Sequence, residues 1–249
     1  MALELEEISA GYEKEKPVVS NINLKLEPGE LVVLAGPNGS GKTTILKTAG
    51  GLLPPFKGRV LVNKRDTGRL RRRERAGLTA FLFQERETLW PFTVRETVLQ
   101  ACFARQGWLG AETKDDRDTV ANALKKADLL GFSECPVTSL SGGELQRVYI
   151  ARCIAQGASF LLLDEPDNNL DPKYSCMVLE LISALVREGR GAIMSLHNLR
   201  LASRFARRIV LLSDNGTVYS DGSPEEVLTL DNLKKVYEIE EDLARDCFL

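Results

Sequence analysis

Long apolar runs are missing from this chain. No window approaches the roughly 18 uninterrupted apolar residues of a membrane-spanning helix, and the start Met1-Ala2-Leu3-Glu4-Leu5-Glu6-Glu7 has neither a basic segment nor a leader-like apolar stretch. Contact with a membrane is therefore expected only through a partner. An excess of either charge is missing too: 33 lysines and arginines stand against 35 aspartates and glutamates, a formal net charge of -2. That balance supplies no overall basic field for a phosphate backbone, so nucleic acid is not expected as a main partner. Paired cysteines are also absent. Cys102, Cys135, Cys153, Cys176 and Cys247 are odd in number and scattered, with no C-x-x-C pair, which points away from a disulfide framework or a zinc site and suits a reducing cytosol. Histidine occurs once, as His197.

What the chain does have is an apolar run, Leu31-Val32-Val33-Leu34-Ala35, leading into Gly36-Pro37-Asn38-Gly39-Ser40-Gly41-Lys42-Thr43. The segment fits G-x-x-x-x-G-K-[ST], the phosphate-binding loop pattern. A strand that runs through a glycine-rich turn into a helix aims several backbone N–H groups at one point, and the positive end of the helix dipole adds to them. Gly36, Gly39 and Gly41 lack the Cβ that would block close backbone approach, Lys42 supplies an ammonium for the outer phosphates, and the Thr43 hydroxyl is placed to ligate a bridging Mg²⁺. Thr44 continues the helix.

The 249 residues allow one large α/β domain or a domain carrying an inserted lobe. Leu3 to Ile8 and the alternating Ile22 to Glu27 predict a half-exposed antiparallel sheet, with Gly58 to Val62 as a further strand. Tyr12, at a strand end, either offers its ring to a nucleotide base or packs, and both readings stay open. Arg69 to Arg75 is the one strongly basic run and reads as a solvated helix face. From Glu85 to about Leu140 there is no strand-like run, whereas Val94 to Ala104 and Asp115 to Leu130 carry helical spacing, so an inserted helical lobe is predicted. At its start, Leu89-Trp90-Pro91-Phe92-Thr93-Val94 is either a docking surface or the lobe's own core. Ser141 and Glu144 form a capping box for the next helix. Gly142 and Gly143 weaken that helix by roughly 1 kcal/mol each relative to Ala, which makes sense if an anion approaches its first turn.

Four apolar runs end in chemistry. Leu31–Ala35 ends at Gly36, Ala80–Phe83 at Gln84, Phe160–Leu163 at Asp164-Glu165, and Ala192–Leu196 at His197. In a parallel sheet these ends lie on one side, where ligands bind. Hydrolysis of a nucleoside triphosphate then assigns Asp164 to Mg²⁺, Glu165 to the general base, Gln84 to the metal or water shell and His197 to the terminal phosphate. Asp171 and Pro172 start another helix, Asp214-Asn215-Gly216 marks a hairpin, and helical patterning runs from Pro224 to the end.

The ordered set GPNGSGKT, Gln84, Leu140-Ser141-Gly142-Gly143-Glu144-Leu145-Gln146, Phe160-Leu161-Leu162-Leu163-Asp164-Glu165 and His197 resembles the ATP-binding subunits of ABC transporters over nearly the whole chain. The resemblance implies an α/β P-loop ATPase of the ABC type. Its RecA-like core and N-terminal antiparallel β subdomain would occupy residues 1–84 and 157–249, with an inserted α-helical subdomain at 85–156. It also implies ATP and Mg²⁺ as ligands. Residues Gly36 to Thr44 would hold the nucleotide, Tyr12 would stack on adenine, Lys42, Gln84, Glu165 and His197 would act in catalysis, and Thr43, Gln84 and Asp164 would serve the metal. Ser141, Gly142 and Gly143 would contact ATP on a second, head-to-tail subunit, and Asp171 would be the D-loop carboxylate. The partners implied are that second subunit and transmembrane permease subunits, with the protein cytoplasmic and peripheral on the inner face of the membrane. Phe92 to Glu96 and Leu233 to Ile239 resemble importers of iron chelates, haem or cobalamin. One departure stands out: Asp167-Asn168-Asn169 replaces the small residues usual before Leu170-Asp171. The alternative reading is a soluble ABC-type ATPase of a cofactor-assembly or repair complex.

Overall fold

Apolar and polar residues alternate along Leu3–Ala10 (β1) and Val19–Leu26 (β2), which makes a sheet with one wet face. In the computed structural model, which describes residues 1–83, 92–106 and 112–240, the two strands pair antiparallel with Leu3 opposite Leu26 and Leu5 opposite Leu24. The chain then makes Leu31–Ala35 (β3) and Lys42–Ala49 (α1) before Lys57–Val62 (β4) and Arg65–Asp66 (β5) complete the first sheet, in the order β2-β1-β4-β5.

The basic run follows as Arg72–Ala76 (α2), which buries no residue, as a solvated helix should. Thr79–Leu82 (β6) leads to the helices Val94–Gln106 (α3), Lys114–Lys126 (α4) and Gly142–Gln156 (α5). Next come Phe160–Leu163 (β7), Pro172–Arg187 (α6), Gly191–Ser195 (β8), Leu199–Phe205 (α7), Arg208–Leu212 (β9), Val218–Gly222 (β10), Pro224–Val227 (α8) and Leu230–Tyr237 (α9). Six strands form the second sheet in the order β10-β9-β3-β8-β7-β6; all are parallel except β10, which returns on β9 through the Asp214-Asn215-Gly216 turn. Apolar residues on both faces of the central strands explain why they read as continuous runs.

Those two faces divide the core. Val32, Leu34, Leu162 and Ile193 point towards α1 and the antiparallel sheet, while Leu31, Val33, Leu161 and Met194 join the helices on the other side. The order β3-β8-β7-β6 sets the carboxyl ends of four parallel strands side by side, and every candidate catalytic residue follows one of them. Gln84, two residues past β6, and Leu89 to Pro91 lie outside the described residues.

Helix spacing predicts α4 as far as Leu130, but the helix stops at Lys126. The cause is local and tertiary. Asp128 takes a left-handed conformation with φ of 55°, and the buried Arg147 Nη1 on α5 donates to the carbonyls of Ala127 and Asp128, each at 3.0 Å. One guanidinium thus satisfies carbonyls that the helix end leaves open. The neighbouring ion pair to Asp128 Oδ2 at 3.3 Å adds little, since that carboxylate is 90% exposed. Arg147→Met is therefore expected to lower stability by about 2–3 kcal/mol, and Asp128→Asn by no more than about 0.5 kcal/mol. Urea unfolding with an unchanged slope measures both; equal losses would assign the effect to the ion pair instead.

Candidate active site

The phosphate-binding loop is built by sterics. Gly36 has φ of 140°, and a Cβ there would lie 2.6 Å from the Leu212 carbonyl oxygen on the neighbouring β9; Gly39 and Gly41 have φ of 83° and 94°. Only glycine turns the chain this way at no steric cost. Helix α1 then begins at Gly41 without a side-chain cap and with no acidic residue in its first turn. By contrast, α4 to α9 are each capped, by Thr113, Ser141, Asp171, Asn198, Ser223 and Thr229. The first-turn amides of α1 are left to an outside acceptor, and a phosphate is the acceptor that such a terminus suits.

Lys42 is 6% exposed, and its ammonium donates to the carbonyls of Gly36 at 2.7 Å and Pro37 at 2.8 Å. Two of its three donors hold the loop, and one is left for a phosphate oxygen. Burial pushes its pKa down, while the nearby Glu165 and Asp164 act the other way. Asn38, Gly39 and Gly41 to Thr44 form one wall of a cavity of about 640 Å³. Tyr12 and Val18 come in from the antiparallel sheet, and Glu165, Asn168 and His197 close the opposite side. Tyr12 is 58% exposed with the Lys47 ammonium 5.3 Å from its ring centre, so the aromatic stands on the cavity rim and is not packed into the core.

The acidic pair after β7 is held by a residue that sequence reading passed over. Ser195, fully buried at the end of β8, donates to Asp164 Oδ1 at 2.8 Å and accepts from the Glu165 N–H at 2.9 Å. It had merged into the apolar run Ala192–Leu196; the available signal was a lone hydroxyl in a strand buried on both faces. Asp164 is itself 2% exposed, behind the cavity wall. Glu165 adopts a left-handed φ of 45°, a conformation that costs a non-glycine residue on the order of 1 kcal/mol. Its Oε1 lies 2.6 Å from His197 Nε2. The two strand ends are thereby stitched together twice, once by Ser195 and once by His197.

The segment after Glu165 accounts for part of the unusual Asp167-Asn168-Asn169. Asn169 sits at φ of 59°, where asparagine is better tolerated than most side chains. Asp167 is pushed up from the usual carboxylate range, first by burial, with the Glu165 charge adding and a bond to its own backbone and His197 opposing. Buried Gln146, the last residue of the LSGGELQ segment, donates from Nε2 to the Pro166 carbonyl at 2.5 Å, fastening α5 to this loop.

Ser141, Gly142, Gly143 and Asp171 do not line the cavity. Ser141 caps α5 through the Glu144 N–H at 3.4 Å, and Asp171 caps α6 through the Tyr174 N–H at 3.0 Å. A Cβ on Gly143 would stand 2.7 Å from Tyr174 Cγ, so packing of α6 on α5 already demands glycine there, a reason that the anion argument did not contain. Gly142 has only the Asn169 carbonyl oxygen near it, at 3.9 Å.

Among the described residues no cluster of three or more His, Cys, Asp or Glu stands ready for a metal. The donors present for Mg²⁺ are the Thr43 hydroxyl on the cavity wall and the buried Asp164 carboxylate. A sparse set of oxygen donors is what a magnesium ion carried in on phosphates requires.

A parallel sheet with a glycine loop, a buried lysine and a strand-end acidic pair defines a P-loop nucleoside triphosphatase. The family is narrower than that: the chain belongs to the ABC transporter family, whose profile matches residues 19–168. The Bacillus subtilis (strain 168) iron(3+)-hydroxamate import ATP-binding protein FhuC is 35% identical over 98% of this chain and 91% of its own length. A solved inward-facing metal-chelate type ABC transporter superposes with a TM-score of 0.83 at 25% identity, covering 96% of this chain and 89% of that one. A dimeric post-hydrolysis ATP-binding cassette holding ADP and phosphate gives 0.77 at 30% identity, over 89% of this chain and 98% of that one. The protein is accordingly an ABC-type ATPase.

Replacing Ser195 by Ala removes the donor to Asp164 and strands the Glu165 N–H. The variant is expected to lose about 1–3 kcal/mol of stability and some ATPase activity. Urea unfolding and a steady-state phosphate-release assay measure the two effects; unchanged values in both would show that Ser195 does not hold the pair.

Proposed function

We propose that the chain is the ATP-binding and ATP-hydrolysing subunit of a prokaryotic importer for a metal chelate, haem or cobalamin, with iron chelates favoured. The observation that carries the reading is the meeting of the Lys42 loop, the Asp164-Glu165 pair and His197 at adjacent parallel strand ends. The names of the siderophore importer and of the metal-chelate transporter favour the cargo class. No helix among the described residues is long and apolar enough to cross a membrane. The chain would then work from the cytoplasmic side, held on the inner face by permease subunits.

In this reading Tyr12 stacks on the adenine, and the amides from Gly36 to Thr44, with Lys42, hold the phosphates. Thr43 and Asp164 would hold a Mg²⁺ ion, helped by Gln84, which lies outside the described residues; bound there, the ion neutralises phosphate charge. Glu165 takes the proton of the attacking water, and His197 on its Oε1 aims that carboxylate beside the terminal phosphate. Ser141, Gly142 and Gly143 stand apart from the chain's own cavity, which leaves them for a nucleotide held by a second copy, with Asp171 between the two. The dimeric cassette favours that head-to-tail pair. Helices α3 to α5, as the inserted lobe spanning 85–156, pass the resulting motion to the permease.

Glu165→Gln is expected to retain ATP binding while turnover falls by about 10² to 10⁴. Equilibrium nucleotide binding and phosphate release separate the two, and near-normal hydrolysis would remove Glu165 from the role of base. For the partner, gentle detergent extraction followed by pull-down is expected to recover a polytopic membrane protein, and vesicles holding the complex are expected to take up an iron chelate only with ATP inside the reaction. Recovery of soluble partners alone would favour the cofactor-assembly or repair reading.

A further inference from the structure

Tyr12 is held at two points. Its backbone leaves β1 through Gly11, where a Cβ would stand 2.4 Å from the Lys16 carbonyl oxygen and 3.3 Å from the Phe56 ring. The Val18 N–H donates to the Ala10 carbonyl at 2.8 Å and closes the loop that carries the tyrosine. The second point is the hydroxyl. Among the described residues its partner is Lys47, whose Nζ donates to it at 3.5 Å and stands 5.3 Å from the ring centre. The ammonium is thus nearer the hydroxyl end than the middle of the ring, and with the residue 58% exposed a ring face stays open to a base.

Lys47 stands in the last turn of α1, the helix that Lys42 begins. A lysine there suits the helix dipole, but that account alone would leave its ammonium in water. Instead the side chain is half-buried, makes no ion pair among the described residues, and reaches the tyrosine on the cavity rim. We propose that Lys47 is a positioning residue for the nucleobase: it fixes the Tyr12 hydroxyl, so that the ring is already oriented when a purine stacks on it. The inference rests on the reading that Tyr12 stacks on the adenine. An exposed aromatic that the ligand must order takes that cost out of the affinity, and one ordered beforehand does not. One helix then gauges both ends of the nucleotide, with the phosphate-binding loop at its start and the base platform tied to its last turn. Lys47 touches no phosphate in this scheme and acts only through Tyr12.

The test compares two ligands on the full chain: ATP, which carries the base, and inorganic tripolyphosphate, which lacks it. Lys47→Met keeps an apolar stem and removes the charge. It is expected to raise the Kd for ATP by about 2- to 10-fold and to leave tripolyphosphate, measured by displacement of labelled ATP, with its wild-type affinity. Tyr12→Phe deletes the acceptor and keeps the stacking face; it is expected to raise the Kd for ATP by a similar factor, and the double variant no further than either alone. Equal weakening of both ligands by Lys47→Met would overturn the proposal, because a lysine that merely adds positive potential acts on phosphates with or without a base. Additive losses in the double variant, or a wild-type Kd for ATP in Lys47→Met, would overturn it equally. A Tyr12→Ala variant that binds ATP as tightly as wild type would refute the stacking reading itself, a result distinct from the others.

Discussion

Everything at the site depends on positive charge that the chain does not neutralise for itself. The first turn of α1 has no capping side chain and no acidic residue, and a buried ammonium sits beside it. In water such a helix end would be solvated; walled in by the antiparallel sheet and the strand ends, it is a standing demand for an anion. The same demand explains the surroundings. Asp164 and Glu165 moderate the lysine from behind and from the side, and both are tied down by Ser195 and His197, so that neither carboxylate can collapse onto the ammonium in place of phosphate.

The parallel sheet was legible because its central strands are buried on both faces. Leu31–Ala35 and Phe160–Leu163 read as strands with the bounds they have, and Ala192–Leu196 is shifted by one residue. Once those runs are accepted as parallel neighbours, the convergence of the loop, the acidic pair and the histidine follows from where each run stops. What could not be read was set by tertiary contact. Ser195 looks like one more residue of a buried strand, and its two hydrogen bonds exist only because β7 lies beside β8. The end of α4 belongs to a guanidinium twenty residues away, and α7 is short enough to carry little periodicity of its own. Gly143 is likewise set by tertiary contact, since a Cβ there would meet Tyr174 of α6.

The polar groups buried around the site are few, and most are held in bonds that join separate elements. Ser195 joins β8 to the end of β7, Gln146 joins α5 to the following loop, and Lys42 joins α1 to the start of its own loop. Buried hydrogen bonds of this kind contribute only about 1 kcal/mol each, but leaving one unmade costs more, which favours a single arrangement over its alternatives. Rigidity at the strand ends therefore comes from connectivity among a handful of side chains, with the apolar core beneath supplying the bulk of the stabilisation.

The bond from Gln146 to the Pro166 carbonyl has a mechanical consequence. Its donor stands one turn into the helix that begins at Ser141, and its acceptor stands one residue beyond Glu165. A load applied to the exposed tip of that helix is therefore delivered, through the Gln146 amide, to the backbone next to Glu165. Paired cassettes built on this linkage would not work as two independent engines: each would feel, at its own carboxylate, whether its neighbour's fuel is in place.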